Sequence, residues 1–196
     1  MFSYSIYAVA VEETSKQKKW CHEKRKSVQR LGSLDLSSNH LHGSAPKWLW
    51  EVDLRNNRFD GMIPPSFPKG NSLMILNLKG NQLEGSLPES LLNCENLEVL
   101  DIGDNKINGS FRQWLESLPK LQVLILRSNR FSGPISNPKV RFPFQKLRIM
   151  DLSNNEFTGG IPMSLGNLQS LKGLNFSHNK QTDQIPASLG NLSNLE

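Results

Sequence analysis

The sequence predicts an α/β solenoid: a right-handed superhelix of stacked coils with a concave parallel β-sheet and a convex side of short 3-10 turns and loops. Three observations predict it. An asparagine recurs at Asn39, Asn57, Asn81, Asn105, Asn129, Asn155 and Asn179, with separations of 18, 24, 24, 24, 26 and 24. Aliphatic residues stand at fixed offsets before each asparagine. A glycine and then a proline follow at fixed offsets behind most of them.

The strand comes first in each coil. Its pattern is L-x-x-L-x-L-x-x-N: Leu73, Leu76, Leu78, Asn81; Leu97, Leu100, Ile102, Asn105; Leu121, Leu124, Leu126, Asn129; Leu147, Met150, Leu152, Asn155; and Leu171, Leu174, Phe176, Asn179. The first two coils use Leu31, Leu34, Leu36, Asn39 and Leu49, Val52, Leu54, Asn57, and Leu195 opens an eighth copy. Positions 4 and 6 lie two residues apart, so both point to one face of a short strand, and positions 5, 7 and 8 face solvent. One strand cannot bury its leucines alone, but stacked copies share a continuous apolar core. Seven strands at ~4.8 Å spacing give a sheet roughly 30 Å along the stack. The asparagine stands where the chain leaves the strand. Its amide both donates and accepts, which predicts a ladder of side chains satisfying the backbone of adjoining loops.

The turn comes next and reads Leu/Phe-x-Gly-x-x-Pro, as in Leu83-Glu84-Gly85-Ser86-Leu87-Pro88 and Phe157-Thr158-Gly159-Gly160-Ile161-Pro162. Glycine permits the bend and proline ends strand pairing. Leu91, Leu115, Leu165 and Leu189 then return the chain to the core.

The complete unit, L-x-x-L-x-L-x-x-N-x-L-x-G-x-I-P, resembles the plant subtype of leucine-rich repeat over about residues 31–196. That subtype occurs in plant receptor-like proteins, receptor-like kinases and polygalacturonase-inhibiting proteins. The run Phe142-Pro143-Phe144-Gln145-Lys146-Leu147, continuing to Asn155, resembles receptor-like proteins in particular, as does Gly160-Ile161-Pro162-Met163-Ser164-Leu165 through Asn179. Together they resemble the C-terminal half of such an ectodomain. The resemblance implies perception of an extracellular ligand, often in plant defence, at the plasma membrane, with a partner kinase as co-receptor.

Several features depart from that pattern. The family's paired-cysteine cap is missing, and Trp20-Cys21 is at most a remnant. The family's membrane helix and its non-repeat island are also missing from the sequence, so the chain reads as fragment-like. The first coil is 18 residues long and the fifth is 26, with Pro134, Pro138 and Pro143 in its loop. Arg112 and Ser136 stand where proline is expected. Gln181 replaces the usual leucine and Asp183 the usual glycine, which predicts an amide at the core edge and a frayed last coil.

Composition sets further bounds. The net charge is +5, but residues 1–30 hold seven lysines and arginines against three acids, so the body carries only +1. Residues 1–30 therefore read as a basic, irregular, solvated segment, with no nucleic-acid partner expected. Met1 to Val11 is mildly apolar but lacks a basic start and a small-residue cleavage site. No stretch approaches the ~18 apolar residues of a membrane helix. Cys94, between core leucines, reads as a buried free thiol.

The candidate ligand-binding residues lie on the solvent side of the strands. Position 5 reads Asp35, Asp53, Asn77, Asp101, Ile125, Asp151, Asn175, and position 7 reads Ser37, Arg55, Lys79, Gly103, Arg127, Ser153, Ser177. Of these, Asp53, Arg55, Asn77, Lys79, Asp101 and Arg127, with Asp104 beside them, are placed to grip a peptide, protein or oligosaccharide ligand through charge-assisted bonds. The competing reading is that Asp and Ser are simply common at these positions. An open sheet offers too little burial to split two carboxylate pKa values, so the chain is not expected to be an enzyme. Asn108, Asn175 and Asn191 head N-x-S sequons, marks of a secreted glycoprotein. A glycan on Asn175 would stand on the concave face. Trp48 and Trp114 precede the convex leucine and read as packing residues. No metal-ligand spacing, phosphate loop or kinase signature is present, and no cofactor is expected. The expected function is non-covalent recognition. A secreted inhibitor resembling polygalacturonase-inhibiting proteins and a non-functional receptor remnant are the alternatives.

Overall fold

In the computed structural model, residues 34–45, 52–137 and 143–196 are described, with Leu34 and Val52 as backbone only. The basic segment 1–30, Leu31, Trp48, Leu49, Cys21 and Pro138 lie outside the described residues. The strands Leu34–Asp35, Val52–Asp53, Ile75–Asn77, Val99–Asp101, Val123–Ile125, Ile149–Asp151 and Gly173–Asn175 form one seven-stranded sheet in chain order. Every pairing in it is parallel. A second parallel sheet follows the bend and joins Glu84–Gly85, Lys106–Gly109, Arg130–Pro134, Glu156–Gly159 and Lys180–Gln181. His42–Ser44 pairs with Arg58–Asp60 on the same side of the first coils.

The convex side is made of 3-10 helices, at Glu89–Asn93, Gln113–Ser117, Met163–Asn167 and Ala187–Asn191. Pro88, Pro162 and Pro186 each precede one in an extended conformation. Arg112 does the same at φ −87° and ψ 104°, so the turn survives without proline because only an extended residue is needed there. Trp114 is half-buried against the core, as a packing residue should be. Gly159 turns the chain with φ +74°, a conformation L side chains rarely adopt. Asp183 holds the equivalent place in the last coil at φ +65°, which Asp tolerates better than most residues.

The core holds an aliphatic column behind the first sheet. Leu76, Leu100, Leu124 and Met150 are aligned by strand register and are at most 2% exposed. Behind the bend runs a second column, Phe59, Leu83, Ile107, Phe131 and Phe157, all buried. The rings of Phe131 and Phe157 stack at 6.0 Å. Cys94 is a buried free thiol whose pKa burial pushes upward. In the last coil Leu174, Phe176 and Leu189 are only half-buried, although its strands still pair. The strands of that coil pair in register despite Gln181 and Asp183.

The amide ladder runs from Asn57 to Asn179. Asn105 Nδ2 donates to the carbonyls of Ile102, Gly103 and, in the preceding coil, Leu78, at 3.0–3.1 Å. Its Oδ1 accepts the Leu83 N–H at 3.0 Å. Asn57, Asn81, Asn129, Asn155 and Asn179 repeat this geometry. Asn39 is exposed, and among the described residues it bonds within its own coil. Replacing Asn105 with alanine orphans several backbone groups and should cost about 2–4 kcal/mol, whereas Asn39→Ala should cost under about 1 kcal/mol. Urea denaturation of both variants measures the contrast. Equal losses would refute the ladder as the tie between coils.

Candidate ligand-binding face

The strand register sorts the concave side chains into columns. Ile75, Val99, Val123, Ile149 and Gly173 align with one another, as do Asn77, Asp101, Ile125, Asp151 and Asn175. Both columns point away from the core because the leucines between them point into it. The first column is aliphatic from Ile75 to Ile149, with Ile75 53% and Ile149 42% exposed, Val99 and Val123 half-buried between them, and Met74 beside them 47% exposed. Sequence reasoning missed this row. The signal was present, since a β-branched residue precedes the inward leucine or methionine in four consecutive coils.

The acidic column has a structural task. Asp35, Asp53, Asn77, Asp101, Asp151 and Asn175 each accept, through Oδ1, the backbone N–H two residues on, at 2.9–3.3 Å. This is the Asx turn that ends the strand. The following residue then takes a left-handed conformation, as at Asn56, Asp104 and Asn154. The turn bond engages one carboxylate oxygen of each aspartate and the amide oxygen of Asn77 and Asn175. Ile125 cannot make the turn bond, so its coil gives up that contact and gains an apolar concave residue beside Val123.

Of the candidate residues, Lys79, Asp101, Asp104 and Arg127 come together. Asp104 Oδ2 lies 3.3 Å from Arg127 Nη2 and 3.8 Å from Lys79 Nζ. Arg127 reaches it by laying its stem over Gly103, where a Cβ would stand 3.2 Å from that stem. Gly103 is a positioning residue that the sequence did not reveal. The Arg127 Nε is buried without a partner. Asp101 sits beneath the cluster. Burial raises its pKa, against the hydrogen bond from Gly103 N–H and the charges of Lys79 and Arg127. Asp53 and Arg55 form a separate pair, with Arg55 Nη2 2.8 Å from Asp53 Oδ2, and Asn77 stands between the pair and the cluster. On the opposite rim Gln122 Nε2 donates to Glu98 Oε2 at 2.9 Å, Arg148 is exposed, and Lys172 pairs with Glu196 at 2.6 Å. Of the sequon asparagines, Asn108 is exposed on the second sheet, Asn175 is exposed on the concave sheet, and Asn191 is exposed at the end of a 3-10 helix.

A family model described as Leucine rich repeat matches residues 72–131, and a second of the same description matches 30–52, 48–69, 146–168 and 170–192. The chain belongs to the leucine-rich-repeat family. No curated protein matches it. Among solved structures, it is similar to the plant peptide hormone receptor RGFR1 in complex with RGF2, with 34% identity and a TM-score of 0.75 over 80% of this chain and 26% of that one. It is also similar to the Arabidopsis receptor kinase HAESA in complex with the peptide hormone IDA and the co-receptor SERK1. The identity there is 28% and the TM-score 0.61, over 87% of this chain and 34% of that one. A plant ice-binding protein shares 26% identity at a TM-score of 0.67, over 87% of this chain and 56% of that one. The leucine-rich repeats described here thus span about a quarter to a third of the length of the receptor ectodomains they resemble. No helix among the described residues is long and apolar enough to cross a membrane.

Asp101 offers a test of the cluster's electrostatics. Its carboxyl keeps its proton to higher pH in the folded chain than in the unfolded one, so the charged form costs stability at neutral pH. That cost fades as pH falls through the folded value. Asparagine keeps the turn acceptor, as Asn77 and Asn175 show. Asp101→Asn should therefore raise the melting midpoint at pH 7 and leave it nearly unchanged at pH 3, measured by circular dichroism. A lower midpoint at pH 7 would show that the salt-bridge partners outweigh burial.

Proposed function

We propose that this leucine-rich-repeat segment is the recognition surface of a plant receptor-like protein, binding an extended peptide or protein ligand along its concave face. The observation that carries the reading is the outward aliphatic row Ile75, Val99, Val123 and Ile149, exposed at its two isoleucines, half-buried at its valines and widened by the half-buried Ile125. It lies between two charged rims: Lys79, Asp104 and Arg127 on one side, Arg148 and Lys172 on the other. Contiguous apolar surface rimmed by polar groups marks a binding site. Aliphatic side chains between opposite rims suit a peptide that carries apolar and charged residues on alternate positions. Lys79 and Arg127 are shared by one aspartate, which leaves cationic capacity for a ligand carboxylate.

The receptors of similar structure support the wider reading, since one is in complex with RGF2 and another with a peptide hormone and a co-receptor. By that likeness the segment works at the outer face of the plasma membrane, in signal or pathogen perception, and passes its signal to a partner kinase. Glycans on Asn108 and Asn191 would leave the concave face open; one on Asn175 would cover its end.

The test uses a panel of short synthetic peptides with aliphatic and acidic residues, titrated by fluorescence polarisation. At least one class should bind, and the Ile75→Asp/Ile149→Asp double variant should weaken it by at least about tenfold, or ~1.4 kcal/mol. An Arg55/Lys79/Arg127 triple alanine variant should also bind more weakly. Arg130→Glu, on the second sheet, should leave binding unchanged. A panel with no binders, or binding lost in the Arg130 variant alone, would overturn the proposal.

A further inference from the structure

The aliphatic row of the concave sheet runs into a gap. Ile75, Val99, Val123 and Ile149 stand side by side by strand register, and the next residue in their column is Gly173. Nothing in the fold calls for glycine there. Gly173 lies in a regular parallel strand, paired residue for residue with Ile149–Asp151, so it makes no bulge. Its backbone is not left-handed. A Cβ added to it would meet only Ile149 Cγ1 and Cγ2, both at 3.9 Å, which is ordinary contact. Glycine inside a strand gives up packing and adds backbone entropy to the unfolded chain. Where no bulge or bend explains it, it is a mark of close approach by another molecule.

The space above Gly173 belongs to a cavity of about 430 Å³ on the concave face. Small-ligand sites run from roughly 300 to 1,000 Å³. Val123 and Ile149 are its apolar walls, and the residue before each member of the column supplies its rim. That rim is arranged around one cation. Gln122 Nε2 donates to Glu98 on one side at 2.9 Å, and Lys172 Nζ pairs with Glu196 on the other at 2.6 Å. Arg148 stands between them, exposed, with no carboxylate at ion-pair distance among the described residues. Across the column, Asp151 is already engaged, since its Oδ1 accepts both the N–H and the hydroxyl of Ser153, at 3.1 and 2.6 Å. An exposed guanidinium beside an apolar hollow suits an aromatic ring with a carboxylate close by. It can lie against the ring and fork onto the acid.

We propose that this cavity is the anchor site for an aromatic side chain of an acidic peptide, the ring lying over Gly173 against Ile149 and Val123 and the carboxylate on Arg148. The assignment rests on the concave face being the recognition surface, and it names a residue class that the aliphatic row alone does not select. Gly173 sets specificity by size and Arg148 by charge.

The experiment titrates small probes into the full chain and follows methyl and backbone amide signals by NMR. Acetyl-Asp-Phe-amide carries the acid on a side chain, and acetyl-phenylalanine carries it at the terminus. Acetyl-Asp-Ala-amide lacks the ring, and acetyl-Asn-Phe-amide lacks the charge. At least one of the first two should shift the Ile149 and Val123 methyl signals and the Gly173 N–H, saturating at least about tenfold more tightly than the probe without a ring. The tighter of the two identifies the source of the carboxylate. Gly173→Ile lengthens the aliphatic row but fills the cavity, so it should weaken the ring probes at least about tenfold. Gly173→Ala should weaken them in the same direction, which keeps the test valid should isoleucine disturb the strand. Arg148→Gln should erase the preference for the Asp probe over the Asn probe. No shift at Ile149 and Gly173, equal binding of the ring and alanine probes, or full binding by both Gly173 variants would overturn the proposal. A longer peptide that needs Ile75 and Ile149 but is indifferent to Gly173→Ile would sink the anchor site and leave the concave reading standing. Ring probes that fill the cavity of a chain that binds no longer peptide would do the reverse.

Discussion

The structure depends on one side chain, the asparagine amide at the end of each strand. A parallel sheet whose strands are two or three residues long makes few ladder bonds of its own. Each strand must then turn sharply out of the sheet and strand its carbonyls at the bend. Asparagine answers both needs, because Nδ2 reaches carbonyls of its own coil and the coil before while Oδ1 takes an N–H from that earlier coil. Aspartate could not donate, serine could not span the distance, and glutamine would bring extra rotamer freedom into a closed space. The amide thus fixes the coil-to-coil spacing and register, and with them the columns of the concave face. Asn39, whose preceding residues lie outside the described ones, is exposed and bonds to carbonyls of its own coil.

That constraint explains what could be read from the sequence alone. The ladder residues and inward leucines are repeated, so their period and offsets reveal fold, register and the inward face together. The concave candidates were legible as positions, but their roles were not. Asp53 and Asp101 look like ligand-gripping acids in the sequence, yet each commits an oxygen to closing an Asx turn. Only the backbone geometry shows that. The reverse holds for Ile75 and Ile149. They resemble core residues by type and are exposed because the leucine beside them takes the inward place. Gly103 was unreadable for another reason: its value lies in the Arg127 stem of the next coil, which crosses it 24 residues further on.

Recognition in such a scaffold is a matter of which side chains fill the free columns. The same architecture serves peptide-hormone receptors and an ice-binding protein, so the stack by itself selects no ligand. In this chain the coil around Val123–Ile125 departs furthest from the pattern, presenting two aliphatic residues outward where its neighbours present one and a turn-capping acid. A local rule broken without a structural gain marks a position where another requirement operates. The surrounding ladder tolerates the loss, since Asn129 still holds the bend at three carbonyls.

Solenoid stability is close to a sum of coil terms and nearest-neighbour interfaces. A defect is therefore felt mainly where it sits. Gln181 would be far more damaging at the place of Ile107 or Phe131, where a neighbour on each side leaves no room for water or for rearrangement. Gln181 stands in the last described coil, where Leu174 and Phe176 are half-buried. The charged cluster of Lys79, Asp104 and Arg127 rests on coils with described neighbours on both sides.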